Sequence, residues 1–340
     1  MSGFSKRKTA AGSAGICSAF KRHLAGYDFV WAFDECVKRQ KGRKKHFKMD
    51  TEKKTIAVVG LGLIGGSLAM ALKGFEDYEI VGVARRQATV DYALAHGVGD
   101  RATVDAGAVL SVADVTYLCI DPGDIINYLK KYKDCFKPGS LVSDVCGIKG
   151  AIDEAARVLP ENVEFIGSHP MAGTEFSGIE HAQADMFLHA HYIMTPSEKS
   201  SPEKVALIER IAAYIGCSDV VKTTPAEHDT NIAYTSQMMH IIALSVCDDE
   251  EIFRCKGFEG SSFRGCTRVA DLDVDLWAEL FCLNENALCE RLDVLIDNLT
   301  SYRDVLEGGN MDELKEKLMV SKKRKQQLDT GVRPASPYYI

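Results

Sequence analysis

The stretch "TIAVVGLGLIGGSLAMALKG", from Thr55 to Gly74, constrains this chain more than any other. An apolar, β-branched run ends in glycines at 60, 62 and 65 and passes directly into an Ala/Leu-rich helical pattern. Strand, GxGxxG turn and helix in that order make a dinucleotide-binding unit. The first glycine allows a tight turn, the second lets backbone approach a pyrophosphate, and the third lets helix and strand pack closely. Gly60, Gly62 and Gly65, with Leu63 and Ile64 at the opening of the helix, are therefore the candidate phosphate-binding residues. The helix N-terminus would offer backbone N–H groups and a partial positive charge. Glycines kept only for close packing are the competing reading.

The pattern that follows is regular. "YEIVGVA" (78–84), "DVTYLCI" (114–120) and "GSLVSDV" (139–145) read as strands, with helices near 88–96, near 123–133 and from Lys149. Such alternation predicts a parallel sheet with right-handed crossovers. "VEFIG" (163–167), "HYIMTP" (191–196) and "DVVKT" (219–223) read as further strands. After Pro225 the chain turns to long stretches, 226–247 and 276–306, with apolar residues three and four apart. The predicted fold is an α/β Rossmann-type dinucleotide-binding domain over 51–224, followed by an all-helical substrate and dimerisation domain over 225–340. Its apolar faces exceed what a small isolated bundle can bury, which predicts a homodimer.

The end of the second strand bears on which dinucleotide binds. An NAD site usually places an acid there for the ribose 2′-hydroxyl, whereas this chain has Ala84, Arg85 and Arg86. A guanidinium fork pairs charge and geometry with phosphate oxygens, so NADP+ is favoured over NAD+. Arginines that merely sit in solvent are the alternative.

Composition narrows the class further. At 340 residues and 46% hydrophobic content the chain can hold more than one core. No apolar run reaches the roughly 18–20 residues of a membrane span, so no membrane partner is expected. Eleven cysteines without a CxxC pair suggest reduced thiols in the cytoplasm and no metal site. The net charge of −7 hides an asymmetry: residues 1–48 carry twelve Lys or Arg against three acids, +9, which leaves −16 for the rest. A targeting peptide, a nucleic-acid arm and an upstream stretch ahead of a functional start at Met49 all fit this basic head. The last is favoured because the segment lacks sustained periodicity. Residues 1–50 are accordingly expected to be a disordered extension, with no nucleic acid as partner.

"GSHPMAGTEFSG" (167–178) places His169 just after a strand end, on the edge where a Rossmann ligand sits. That position favours a catalytic histidine over a structural one. Together, "VVGLGLIGGSLAMALK", "SDVCGIKG", "GSHPMAGTE", "HDTNIAYTSQMMHIIALS" and "SSFRGCTRVADLDVDLW" resemble the prephenate and arogenate dehydrogenase family of tyrosine biosynthesis, over about residues 54–310. The resemblance implies oxidation at a ring hydroxyl with loss of CO2, the substrate being prephenate or arogenate. It puts His169 at the hydroxyl, where a neutral imidazole suits the proton transfer.

By the same resemblance Arg268 grips a substrate carboxylate. Ser236 and His240, four apart on one predicted helix and so on one face, close over the substrate. Thr174 and Glu175 belong to the active-site loop, and Trp277 matches a position near the pocket. His228 and Asp229 fit capping or packing as well as they fit catalysis. Two departures stand out: Gly147 occupies a position where many members have a serine, and Gly265 one where many have an acid. A different β-hydroxyacid-type dehydrogenase would not explain the "HPMAGTE" loop with the "TSQMMH" helix. A non-catalytic dinucleotide sensor would not explain why His169, His240 and Arg268 occur together.

Overall fold

The computed structural model describes residues 53–174 and 176–330. The basic extension over 1–50 and Glu175 lie outside the described residues.

The first strand, β1 (Lys54–Val59), is buried from Thr55 onward because both of its faces are covered. Its residues alternate between two apolar cores. Ile56 and Val58 point to one, shared with Leu68 and Ile80, while Ala57 and Val59 point to the other, shared with Ile125 and Ile152. Around β1 the chain winds α1 (Leu63–Ala71), β2 (Tyr78–Val83), α2 (Gln87–His96), β3 (Arg101–Thr103), α3 (Ala106–Leu110) and β4 (Val115–Leu118). It continues through α4 (Pro122–Tyr132), β5 (Leu141–Asp144), α5 (Gly150–Ala156) and β6 (Glu164–Phe165). The six strands form a parallel sheet in the order β3-β2-β1-β4-β5-β6. This is the doubly wound order whose switch point, between β1 and β4, opens the ligand crevice.

The run "VEFIG" does not form one strand. β6 covers only two residues, Ile166 is buried and donates its N–H to Val142 O, and the chain then starts a second sheet. There β7 (Gly167–Pro170) pairs antiparallel with β8 (His191–Thr195), which pairs parallel with β9 (Asp219–Lys222) after α6 (Pro202–Tyr214). His169 therefore sits within a short strand and not in a loop. Cross-strand hydrogen bonding sets its backbone.

The expected long helix from 226 is three segments: α7 (Pro225–Ile232), a π-helical turn (Ala233–Gln237) and α8 (Met238–Cys247). π turns inside helices recur at functional sites. Next come α9 (Ser261–Thr267), a 3-10 turn (Arg268–Ala270), α10 (Val274–Leu283), α11 (Glu285–Glu307) and α12 (Met311–Asp329). One compact unit reaches to Glu285 and the other begins at Asn286. The sheet strands end at Lys222, but the helices up to Glu285 pack with the sheet domain and belong to its unit. In the second unit α11 and α12 form a hairpin, with Tyr302 Oη 2.9 Å from Ser321 Oγ, and Asn310 caps α12. Val294, Leu299, Leu306 and Leu318 on these helices are exposed. Among the described residues no helix is long and apolar enough to cross a membrane.

Candidate active site

At the phosphate loop each glycine has a separate steric reason. Gly60 has φ +93°, and a Cβ there would lie 2.3 Å from Cys119 O, so the turn presses against the end of β4. A Cβ on Gly65 would lie 1.8 Å from Gly60 O, which is the close helix–strand approach. Gly62 is the opposite case: a Cβ there would meet nothing within 4 Å. Among the described residues no side chain caps the first turn of α1, which leaves its first amides, at Leu63 and Ile64, without a side-chain cap. A bare backbone surface at an uncapped helix start suits a pyrophosphate.

Arg85 and Arg86 follow β2 directly and are exposed. Asp121, at the head of α4, has its pKa raised by burial and by Asp124 and Asp273, with Arg85 opposing the rise. Arg85, just after β2, lies at the same carboxyl edge of the sheet as the glycine loop that follows β1.

The histidine is built into a buried polar network. Asp144 ends β5, and its carboxylate pairs with Lys149 Nζ while accepting N–H bonds from Cys146 (2.9 Å) and Ser168 (3.2 Å). Lys149 Nζ also donates to Ser168 O at 2.7 Å, and Ser143 Oγ lies 2.9 Å from Ser168 Oγ. The Lys149 and Asp144 side chains are 1% and 0% exposed, so the pair is fully removed from water. Three of these contacts, from Asp144, Lys149 and Ser143, clamp Ser168, the residue before His169. Sequence reading passed over Asp144 and Lys149, although a lysine and an aspartate five apart in the otherwise apolar "VSDVCGIK" were a usable signal.

His169 itself is half-buried. Its Nδ1 lies 2.9 Å from His228 Nε2, and His228 Nδ1 lies 2.7 Å from Asp229 Oδ1. Burial, helped by His228 and Lys149, holds the His169 pKa well below the ordinary histidine value. The other nitrogen, Nε2, unbonded among the described residues, faces Gly147: a Cβ at that position would sit 3.8 Å from His169 Nε2 and 3.7 Å from Leu280 Cδ2. The chain after His169 then returns to the phosphate loop. Gly173 approaches Ile64, and Gln183 N donates to Ser67 Oγ of α1 at 2.9 Å. Thr174, in that returning segment, is exposed, with its hydroxyl 3.4 Å from Phe176 N.

Leu280 belongs to α10, and one turn earlier the same helix presents Trp277. The Trp277 ring lies against His240 at a centroid distance of 3.6 Å, the two planes tilted by 31°. His240 Nδ1 is 3.0 Å from the carbonyl of Ser236, so the backbone of Ser236, within the π turn, and not its hydroxyl meets His240. Burial lowers the His240 pKa, the Ser236 bond opposes that, and Arg268 lowers it further. Arg268 is exposed and makes no ion pair among the described residues. The π turn is tied to α10 by buried amides: Gln237 Nε2 donates to Leu280 O (3.0 Å) and Asn284 Nδ2 to Gln237 Oε1 (2.7 Å). Helix α10 is also tied to the sheet domain, where Glu279 accepts Gly123 N at 2.9 Å. One helix face thereby links the His169 side of the site to the His240 and Arg268 side. A Cβ on Gly265 would meet nothing within 4 Å.

Comparison with known proteins agrees with this arrangement. The family described as prephenate dehydrogenase, nucleotide-binding domain, matches residues 68–221, and prephenate dehydrogenase, dimerization domain, matches residues 224–320. A prephenate dehydrogenase of Bacillus subtilis is 29% identical over 78% of this chain and 74% of its own. One of Lactococcus lactis is 30% identical over 71% of this chain and 68% of its own. Among solved structures, an arogenate dehydrogenase of Synechocystis is 29% identical, with a TM-score of 0.71, covering 81% of this chain and 99% of that one. Two adjoining family domains across most of the chain, on a doubly wound sheet followed by helices, establish that this chain belongs to the prephenate dehydrogenase family of nicotinamide-dependent oxidoreductases.

Proposed function

We propose that the protein oxidatively decarboxylates prephenate to 4-hydroxyphenylpyruvate, in the route to tyrosine, with NADP+ as oxidant. The observation that carries this reading is the free Nε2 of His169, turned to the space that Gly147 leaves and joined through the returning chain to the glycine loop. A nicotinamide held at the glycine loop would supply the acceptor for the hydride that leaves C4 of the ring. His169 takes the C4 hydroxyl proton, which its low pKa leaves it neutral to do. The C1–carboxylate bond breaks, its electron pair stays in the ring, and CO2 leaves an aromatic phenolate, whose oxygen takes the proton back to give the phenol.

The remaining roles follow from residue chemistry. Arg268, exposed and without an ion pair among the described residues, supplies a forked cation for a substrate carboxylate. His240, Ser236 and Trp277 wall the substrate from the helical side, and Thr174 and Glu175 do so from the segment after β7. Gly60, Gly62, Leu63, Ile64 and Gly65 cradle the pyrophosphate, and Arg85 and Arg86 meet the 2′-phosphate. The exposed apolar residues of α11 and α12 pair two copies of the chain, in keeping with a dimerization-domain match. We place the enzyme in the cytoplasm, which suits a chain rich in cysteine without CxxC pairs.

The Synechocystis relative supports a second reading, arogenate as substrate. Purified protein mixed with each pairing of prephenate or arogenate with NADP+ or NAD+, followed by nicotinamide absorbance, decides among these. Prephenate with NADP+ should give the highest kcat/KM; a higher value with arogenate transfers the assignment, and silence with all four pairs overturns it. Arg85→Asp should raise the KM for NADP+ far more than that for NAD+, and equal effects would remove the 2′-phosphate role.

A further inference from the structure

His169, His228 and Asp229 form a chain of hydrogen bonds whose proton positions can be worked out from its buried end. Asp229 Oδ1 and Oδ2 accept the backbone N–H groups of Lys149 and Gly150, each at 2.8 Å. Those amides can only donate, so both oxygens act as acceptors. His228, 1% exposed, must then donate from Nδ1 to Asp229 Oδ1. In a neutral imidazole one nitrogen donates and the other accepts, so His228 Nε2 is an acceptor. Its partner among the described residues, His169 Nδ1, must carry the hydrogen between them.

We infer that His228 and Asp229 are positioning residues that hold His169 in the tautomer with hydrogen on Nδ1 and a bare lone pair on Nε2, aimed at the Gly147 space. The inference rests on His169 being the base of the reaction proposed above, and it adds a path for the proton. As Nε2 binds the substrate proton, Nδ1 releases its own to His228 Nε2. One proton enters and one is passed on, His169 returns to neutrality, and the imidazolium formed lies 2.7 Å from the Asp229 carboxylate. Wrong-tautomer variants of a comparable histidine–carboxylate pair in serine proteases lose most of their turnover.

The first test is nitrogen-15 NMR of the histidine-labelled full chain without substrate, with the His169 signals assigned by their loss in His169→Asn. Hydrogen on Nδ1 and a bare Nε2 are expected; a bare Nδ1, which a charged His228 would produce, overturns the inference. The second is kinetic. His228→Leu should lower kcat by about 10²- to 10⁴-fold, the range of general acid–base catalysis, with KM and cofactor affinity unchanged. His228→Gln, whose amide oxygen can still accept from Nδ1, should recover part of that loss. Unchanged kcat in His228→Leu, or equal loss in the two variants, also overturns it. If the wild type turns over none of the four substrate pairs, the proposed reaction fails, while the NMR measurement still decides the tautomer.

Discussion

The two sides of the candidate site are built differently. Around His169 the polar side chains are buried and held by several partners: Asp144 by Lys149, Cys146 and Ser168, and Asp229 by Lys149, Gly150 and His228. Around Arg268 the arginine is exposed, and His240 is held by one carbonyl and one aromatic face. A proton-transfer group needs its orientation fixed before substrate arrives, because misplacement is lost directly from rate. A carboxylate-binding arginine needs an unsatisfied fork instead, and solvent keeps it available. The first side should therefore respond to mutation in stability and kcat, and the second in KM.

The largest expected effect breaks the buried side. Lys149→Ala leaves the Asp144 carboxylate unpaired in the interior and should cost about 3–5 kcal/mol of stability in urea denaturation. A loss below about 1 kcal/mol would place the pair on the same footing as a surface bridge. Next, Arg268→Ala should raise the KM for prephenate about 10- to 100-fold, the worth of a charged hydrogen bond, with stability nearly unchanged. A fall in kcat alone would contradict the division of labour.

The pH profile sharpens the same contrast. Burial keeps His169 neutral below the usual histidine pKa, so the acid limb of kcat/KM should fall below about pH 6.5. The stability sign agrees: between the lowered folded pKa and the ordinary unfolded one, the unfolded chain binds more protons. Stability is then fully present above about pH 6.5 and declines as pH drops. An acid limb above that value would mean that another group controls the rate. The smallest effect concerns Gly147→Ser. The added Cβ meets only ordinary van der Waals distances, so stability should stay within about 0.5 kcal/mol. One neutral hydrogen bond from the new hydroxyl should lower KM about fivefold, and an unchanged KM would show that this space is filled by something other than substrate.

Much of the architecture was legible in the sequence, and so were the site's individual members. The apolar run, glycine spacing and helical pattern at 55–74 determine a local unit, because backbone sterics and hydrophobic periodicity act over a few residues. The alternation up to Lys149 determines the parallel sheet for the same reason. His169, His240, Arg268 and Gly147 could be picked out from motifs. Which partner each takes could not. The bonds that orient His169 join residues 59 apart in sequence, and those that anchor Asp229 join residues 79 and 80 apart. No period records such a pairing. The π turn at 233–237, the break of "VEFIG" into two strands at buried Ile166, and the assignment of the helices up to Glu285 to the sheet domain's unit also depended on packing. Sequence thus determined which residues were available to a dehydrogenase of this family. Only the tertiary structure decided which nitrogen of His169 is free, because that depends on a carboxylate, two amides and a second histidine meeting in one buried place.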